Sequence, residues 1–484
     1  MSRDFTRKLM YALSLMGICI ISDHSISVCQ TKPDSSIVGM WQGSLAIGES
    51  KIRIIFHIAK SDSGSWTASL DSPDQGARGI AVSSVILDMD SVKLFMTSIG
   101  SEYDGKLSAD RSSIDGKWIQ SGASLPLSMI RTTVEIKYNR PQEPKPPYPY
   151  ESEEVSFESK TTGMKYSGTV TIPDSGGPFP AAILITGSGM HDRNEEVFEH
   201  KPFLVIADYL TRRGIAVLRV DDRGIGGSTG NKMQSTSVDH AKDVIAEIEY
   251  LKNRGDINPN KIGIIGHSEG GMIAPIVASQ SKDVSFVVLL AGTGERSDEV
   301  LTEQKRVLEK SEGVPDGDID REINQDENEY RIMRSSSDSA TIADSLKEYL
   351  RTTMPELSGS EIQRDGDHEK EIDGKVGFLL SPWFRSFIFY DPRSELEKVR
   401  CPVLAMDGTL DLQVSPEENL EEIEKALKKG GNADYTIKLM PGLNHLFQDA
   451  KTGSPNEYAQ IEETFSPEAL TVMGDWILRR MEKK

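Results

Sequence analysis

The run Lys261-Ile-Gly-Ile-Ile-Gly266-His267-Ser268-Glu269-Gly270-Gly271-Met272 constrains the fold of this chain more than any other stretch. Ile262 to Ile265 is a short apolar run and predicts a buried strand. The run breaks at Gly266, and apolar residues return at helical spacing from about Met272. Ser268 therefore sits where a strand turns sharply into a helix. Such a turn leaves no room for side chains at the flanking positions, which explains glycine on either side of the serine. The start of the following helix offers unsatisfied N–H groups and the positive end of its dipole beside Ser268, where negative charge could be stabilised. This is the setting a nucleophile elbow requires.

The pattern Gly-x-Ser-x-Gly is weak by itself in a chain with 41 glycines. It occurs again at Gly226-Gly227-Ser228-Thr229-Gly230. That copy follows Asp221-Asp-Arg-Gly-Ile225 instead of an apolar strand and leads into polar Asn231-Lys-Met-Gln-Ser235, so it reads as a loop. Ser268 is the preferred nucleophile and Ser228 the alternative.

The surrounding sequence supplies a sheet for the elbow strand to join. Glu153 to Phe157 and Met164 to Ile172 read as an opening hairpin. Ala181–Ile185, Ile215–Val220, Asp283–Ala291, Cys401–Met406 and Tyr435–Met440 are further apolar runs. They alternate with amphipathic stretches such as Phe203–Leu210 and Val238–Leu251, and this alternation predicts a mostly parallel α/β sheet with right-handed crossovers. Residues 37–131 differ. Lys51–Ile58, Trp66–Leu70, Val92–Met96 and Leu125–Ile130 alternate as short strands, with Trp41 and Trp118 placed to pack together, so a small antiparallel barrel or sandwich with an accessory role is expected. His57 alternates with apolar neighbours and reads as a structural strand residue. Between the two regions, five prolines from Pro141 to Pro149 favour extended polyproline geometry, which makes residues 132–150 a semi-rigid linker.

Arg3, Arg7 and Lys8 precede the apolar run Leu9–Ile21, the layout of a secretory signal over residues 1–29. The run is too short to span a bilayer, which takes about 20 residues. The mature chain is therefore expected outside the cytoplasm, secreted or periplasmic. Ser27-Val28-Cys29 could end the signal; equally, Ile26 to Cys29 resembles a lipoprotein signal, with lipid on Cys29, except that Val28 stands where a small residue belongs. Only Cys401 remains for the folded part, so no internal disulfide is expected. The net charge of −20 argues against nucleic acid and anionic membranes as partners.

Taken in order, Leu184-Ile-Thr-Gly-Ser-Gly189, Arg219-Val-Asp-Asp-Arg-Gly224, Gly266-His-Ser-Glu-Gly270, Gly408-Thr-Leu-Asp411 and Gly442-Leu-Asn-His445 resemble the α/β-hydrolase superfamily. In detail the chain is similar to secreted bacterial esterases carrying a β-rich N-terminal extension. The superfamily resemblance covers residues from about 151 to 484. It implies a serine hydrolase with the acid and then the histidine following the nucleophile. Of eight histidines, only His368 and His445 follow the elbow. His445 lies in a loop after the last strand and is preferred as general base; His368 sits in a charged stretch expected to be irregular and solvated. His267 is expected to shape the turn. Asp411 fits the Gly-x-x-Asp spacing for the acid, with Asp407 the alternative. The oxyanion hole is expected from the backbone N–H groups of Glu269 and Ser188, so the side chains of these two residues are not expected to matter. The resemblance to esterases implies a small-molecule ester as substrate, with a serine aminopeptidase of the same superfamily as the alternative and a catalytically inactive binding protein as the third reading; neither cofactor nor metal is expected.

A long connection separates Ala291 from Cys401, far beyond an ordinary αβ loop. Residues 295–374 hold 23 Asp and Glu against 11 Lys and Arg. Helical spacing at Val300, Val307, Ile342, Leu346 and Leu350 predicts a helical lid over about 295–397. Asp316 to Asp320 with Glu327 mimics a calcium loop, but Arg321 stands where that loop needs glycine. The aromatic run Phe378–Tyr390 suits either an acyl pocket or the core of the lid.

Overall fold

A computed structural model describes residues 37–47, 50–61, 64–73, 77–120, 123–134, 138–354 and 364–482. The signal-like segment 1–29, with Cys29, lies outside them, as does the stretch 355–363 of the expected lid. The chain divides into two compact units, one of Met1–Asn139 with Pro355–Glu371 and one of Arg140–Met354 with Ile372–Lys484.

The first unit is one nine-stranded antiparallel sheet. Its strands are β1 (Gly39–Ile47), β2 (Ser50–Lys60), β3 (Trp66–Ser72), β4 (Ala77–Ala81), β5 (Ser84–Asp88), β6 (Ser91–Met96), β7 (Ser101–Leu107), β8 (Ser113–Gln120) and β9 (Ala123–Thr132), in the order β4-β3-β2-β1-β9-β8-β7-β6-β5. Alternate residues point inward, as along β6, where Val92, Leu94 and Met96 are buried. The sheet closes over one aromatic core in which Trp41, Phe56, Tyr103 and Trp118 are fully buried. Each buried polar tip finds a partner: Trp41 Nε1–H donates to the Ile37 carbonyl, and Trp118 Nε1–H to Gln120 Oε1. His57 is a strand residue hydrogen-bonded to Asp71.

The second unit holds an eight-stranded sheet of β10 (Tyr150–Glu158), β11 (Lys165–Pro173), β12 (Phe179–Ile185), β13 (Ala216–Val220), β14 (Ile257–His267), β15 (Val284–Leu290), β16 (Val403–Gly408) and β17 (Tyr435–Met440). Its order is β10-β11-β13-β12-β14-β15-β16-β17. β10, β11 and β13 pair antiparallel, and every pairing from β13 to β17 by way of β12 is parallel. The central strands are buried on both faces, as their unbroken apolar runs require. Helices Pro202–Thr211 and Pro467–Glu482 pack with one set of strand side chains, and Ser237–Lys252, Glu269–Gln280 and Pro416–Gly430 with the other. A capping box between Thr236 and Asp239 starts the helix Ser237–Lys252. Among the described residues, no helix is long and apolar enough to cross a membrane.

The long connection is helical. It comprises Ser297–Ser311, Asp316–Arg334, Ser339–Thr353, Arg364–Leu379, Pro382–Ile388 and Arg393–Leu396. One expectation is corrected here: the charged stretch around His368 is helical, not irregular. Asp316 to Glu327, whose spacing mimics a calcium loop, is the first part of a continuous helix. Of the two readings of the aromatic run, the lid core is the one observed: Trp383, Phe384, Phe387 and Ile388 are buried with Leu346, Leu350 and Met272. Many of the lid's acids are paired, as in Arg334–Asp298 and Lys375–Glu329.

The proline-rich segment is not a free spacer from Arg140 onward. The buried Arg140 guanidinium donates to the carbonyls of Ile461, Phe198 and Ala459, and Gln142 Oε1 accepts the N–H groups of Thr464 and Phe465.

Candidate active site

The elbow is tighter than the sequence indicates, because the helix begins at Glu269, directly after Ser268, and not near Met272. Ser268 has φ 53°, a left-handed conformation unusual for a residue with a side chain, and it stays partly accessible. Close backbone crossings hold it there. A Cβ added to Gly266 would lie 2.0 Å from the Gly270 carbonyl oxygen, and one added to Gly270 would lie 2.2 Å from that of Ile185. Both glycines are required by contact, and the second sits inside the helix at a propensity cost of about 1 kcal/mol.

Asp411 and His445 converge from the loops after β16 and β17. His445 Nδ1–H donates to Asp411 Oδ2 at 2.7 Å, and both residues are buried. Asp411 Oδ1 also accepts the backbone N–H groups of Gln413 and Val414 at 2.7 and 2.9 Å. Burial alone would raise the Asp411 carboxyl, but His445 and these donors hold it below its ordinary range. With Nδ1–H committed, a neutral His445 keeps its lone pair on Nε2. Among the described residues, no hydrogen bond joins Ser268 Oγ to His445. Instead, the structure brings His445 against His267, the residue before Ser268: their ring centroids are 4.9 Å apart, and His267 Nε2–H donates to the His445 carbonyl.

Asp407, the alternative acid, ends β16 fully buried. Its Oδ1 accepts Gly408 N–H, and its Oδ2 finds no donor among the described residues. Burial, and then the Asp411 charge, push this carboxyl well above its ordinary range.

The loop after β12 lies over the nucleophile. A Cβ on Gly187 would be 3.2 Å from that of Ser268. Ser188 follows on the exposed side, its carbonyl accepting His191 Nε2–H at 2.7 Å. Among the described residues, the Glu269 N–H has no acceptor. Three residues that the sequence reading missed support this loop. Lys232 Nζ donates to the Gly187 carbonyl at 3.0 Å and to Asp222 at 2.7 Å, and Asp222 in turn accepts Thr186 Oγ1–H and His191 N–H. Glu195 Oε1 accepts Gly187 N–H at 2.7 Å and His267 Nδ1–H at 3.0 Å. The Asp221-Asp222 pair is thereby explained as scaffold, with Asp221 taking Arg193.

The Glu269 side chain also departs from expectation. It is 1% exposed, accepts Trp383 Nε1–H at 3.1 Å and Ser237 Oγ–H at 3.1 Å, and so ties the lid to the elbow helix. Ser228, the rejected serine, accepts Ser167 N–H at 3.0 Å and pins a loop to β11.

A mostly parallel sheet with this strand order, and a serine at the turn leaving its central strand, defines the α/β-hydrolase fold. The family model for X-Pro dipeptidyl-peptidases, S15, matches residues 162–442. The chain belongs to that family. It is 28% identical over 307 residues to Esterase EstD of Thermotoga maritima, which covers 63% of each chain. It is 30% identical over 148 residues to the uncharacterized protein YfhR of Escherichia coli K12, covering 30% of this chain and 49% of that one. It thus spans less than two thirds of either relative. A solved Pyrococcus furiosus esterase is 16% identical over 68% of this chain and 91% of its own, with a TM-score of 0.41.

Proposed function

We propose that this protein is a serine hydrolase that cleaves carboxylic esters through an acyl-enzyme, with Ser268, His445 and Asp411 as its triad. The observation that carries this reading is the buried Asp411–His445 hydrogen bond held beside a strained serine turn. His445 Nε2 takes the Ser268 proton as Oγ attacks the ester carbonyl, and Asp411 stabilises the resulting imidazolium. The oxyanion meets the N–H groups of Glu269 and Ser188. His445 then protonates the departing alkoxide and later activates the water that releases the acid. Residues 1–29 are read as the signal that exports the enzyme.

Esters are preferred over peptides because of Glu269. A peptidase acting on a free N-terminus needs a carboxylate for the ammonium, and Glu269 is the buried carboxylate next to Ser268. Its oxygens already serve Trp383 and Ser237. The name of the Thermotoga relative agrees with this preference, whereas the family match favours X-Pro dipeptides as a second reading.

Both are decided on one preparation. A fluorophosphonate should label Ser268 and fail on Ser268→Ala. Short-chain nitrophenyl esters should be turned over with kcat/KM at least about a hundredfold above that for X-Pro nitroanilides, a gap of about 2.7 kcal/mol. Equal or better efficiency on the anilides makes the peptidase reading correct.

A further inference from the structure

Glu195 and His267 form a buried polar pair outside the triad, and its hydrogen bonds bear on its charge. His267 Nδ1 is 3.0 Å from Glu195 Oε1, and its Nε2 is 3.0 Å from the His445 carbonyl oxygen. A carbonyl can only accept, so Nε2 carries a proton. Glu195 Oε1 already accepts Gly187 N–H at 2.7 Å, as expected of a carboxylate oxygen, so Nδ1 carries one too. The neutral alternative would place the acid proton on that same oxygen, which would donate to Nδ1 and accept from Gly187, while Oε2 finds no donor among the described residues. The pair is sealed from water: Glu195 is 3% and His267 7% exposed, behind a wall that includes Phe203, Ile206, Leu290 and Phe465.

We propose that His267 is held as an imidazolium by Glu195, and that this ion pair is a positioning device that sets the spacing of the three loops around Ser268. Resting on the serine-hydrolase reading, it joins the oxyanion loop through Gly187, the elbow through His267 and the base loop through the His445 carbonyl. Glu195 accepts φ 52°, a conformation unusual for a residue with a side chain, to reach this place. The charged groups facing His267 are Glu195 and Asp411, with the His445 ring beside it; those facing Glu195 are His267 and His191. Burial opposes both charges, yet the partner wins on each side: the His267 pKa is raised and that of Glu195 lowered. When pH rises far enough to strip His267, one of its two acceptors loses its donor and the loops lose their common anchor.

The test is a two-bond proton–nitrogen spectrum of the full chain with nitrogen-15 histidine, the His267 signals being assigned with His267→Gln. Both ring nitrogens of His267 should be protonated from about pH 6 to pH 8, across the pH where an ordinary histidine, near 6.5, loses its charge. An unprotonated Nδ1 or Nε2 at the acid end of that range overturns the proposal, and this measurement needs no variant to be active. In Glu195→Gln burial is left unopposed, so the same spectrum at pH 6 should show His267 with only one protonated ring nitrogen, and kcat should fall at least about tenfold with KM little changed. A doubly protonated His267 in that variant, or an unchanged kcat, also overturns it. Failure of fluorophosphonate to label wild-type Ser268 would instead bring down the hydrolase reading and leave the charge state of His267 readable.

Discussion

The upward shift of the Asp407 carboxyl has a measurable sign. Its folded pKa lies well above the unfolded value of about 3.9, first because it is buried and then because Asp411 is charged. Between those two values, unfolding releases a proton, so this residue's contribution to stability is full in acid and is lost as pH rises. Asp407→Asn keeps an acceptor for Gly408 N–H and has no charge to bury at any pH. Its melting temperature should exceed that of the wild type at pH 8, and the advantage should vanish near pH 3; a larger gain in acid would show Asp407 to be ionised. At the candidate base, His445→Ala should lower turnover by orders of magnitude, as members of a cooperating triad do, while His368→Ala should not. Measured kcat on a nitrophenyl ester separates the two. Ser228→Ala should keep fluorophosphonate labelling and lose about 0.5–1.5 kcal/mol of stability, the value of its bond to Ser167.

The connection between lid and elbow runs through one indole. Trp383→Phe keeps the ring packed on Phe387 but removes the donor to a buried carboxylate, leaving Glu269 with Ser237 alone. Bonds to charged groups contribute about 1.5–3 kcal/mol, so urea unfolding should show a loss of that size. A change under about 0.5 kcal/mol would mean the carboxylate finds another donor. This element also shows what was legible in the sequence. The sheet strands could be read because strands covered on both faces must be continuous apolar runs, and the elbow because crossing backbones demand glycine. The helix start was misplaced for the same reason: Gly270 and Gly271 look like loop residues until the Ile185 carbonyl and the Gly292 Cα are seen against them. Glu195 could not be picked from Asp192-Arg-Asn-Glu-Glu196, since only the fold decides which acid of a polar run turns inward. The calcium-like spacing from Asp316 lies on a helix, where acids in the first turn are favoured by its dipole.

Across the whole chain, the two units meet in sequence at Asn139 and Arg140, inside the segment that composition marks as a linker. A chain begun at Asn139 should fold and keep nitrophenyl esterase activity. One begun at Tyr150 strips the guanidinium from three carbonyls and the Gln142 amide from Thr464 and Phe465, and should melt measurably lower. Equal melting temperatures would show that these bonds add nothing. The anchorage at Arg140 also decides where force enters. Tension that travels along the chain through Asn139 is borne by the Arg140 bonds to Phe198, Ala459 and Ile461 before it reaches the edge strand β10. If the amino-terminal end were tethered to a surface, drag on the protein would peel a short proline-rich strap before it loaded the sheet that carries the serine.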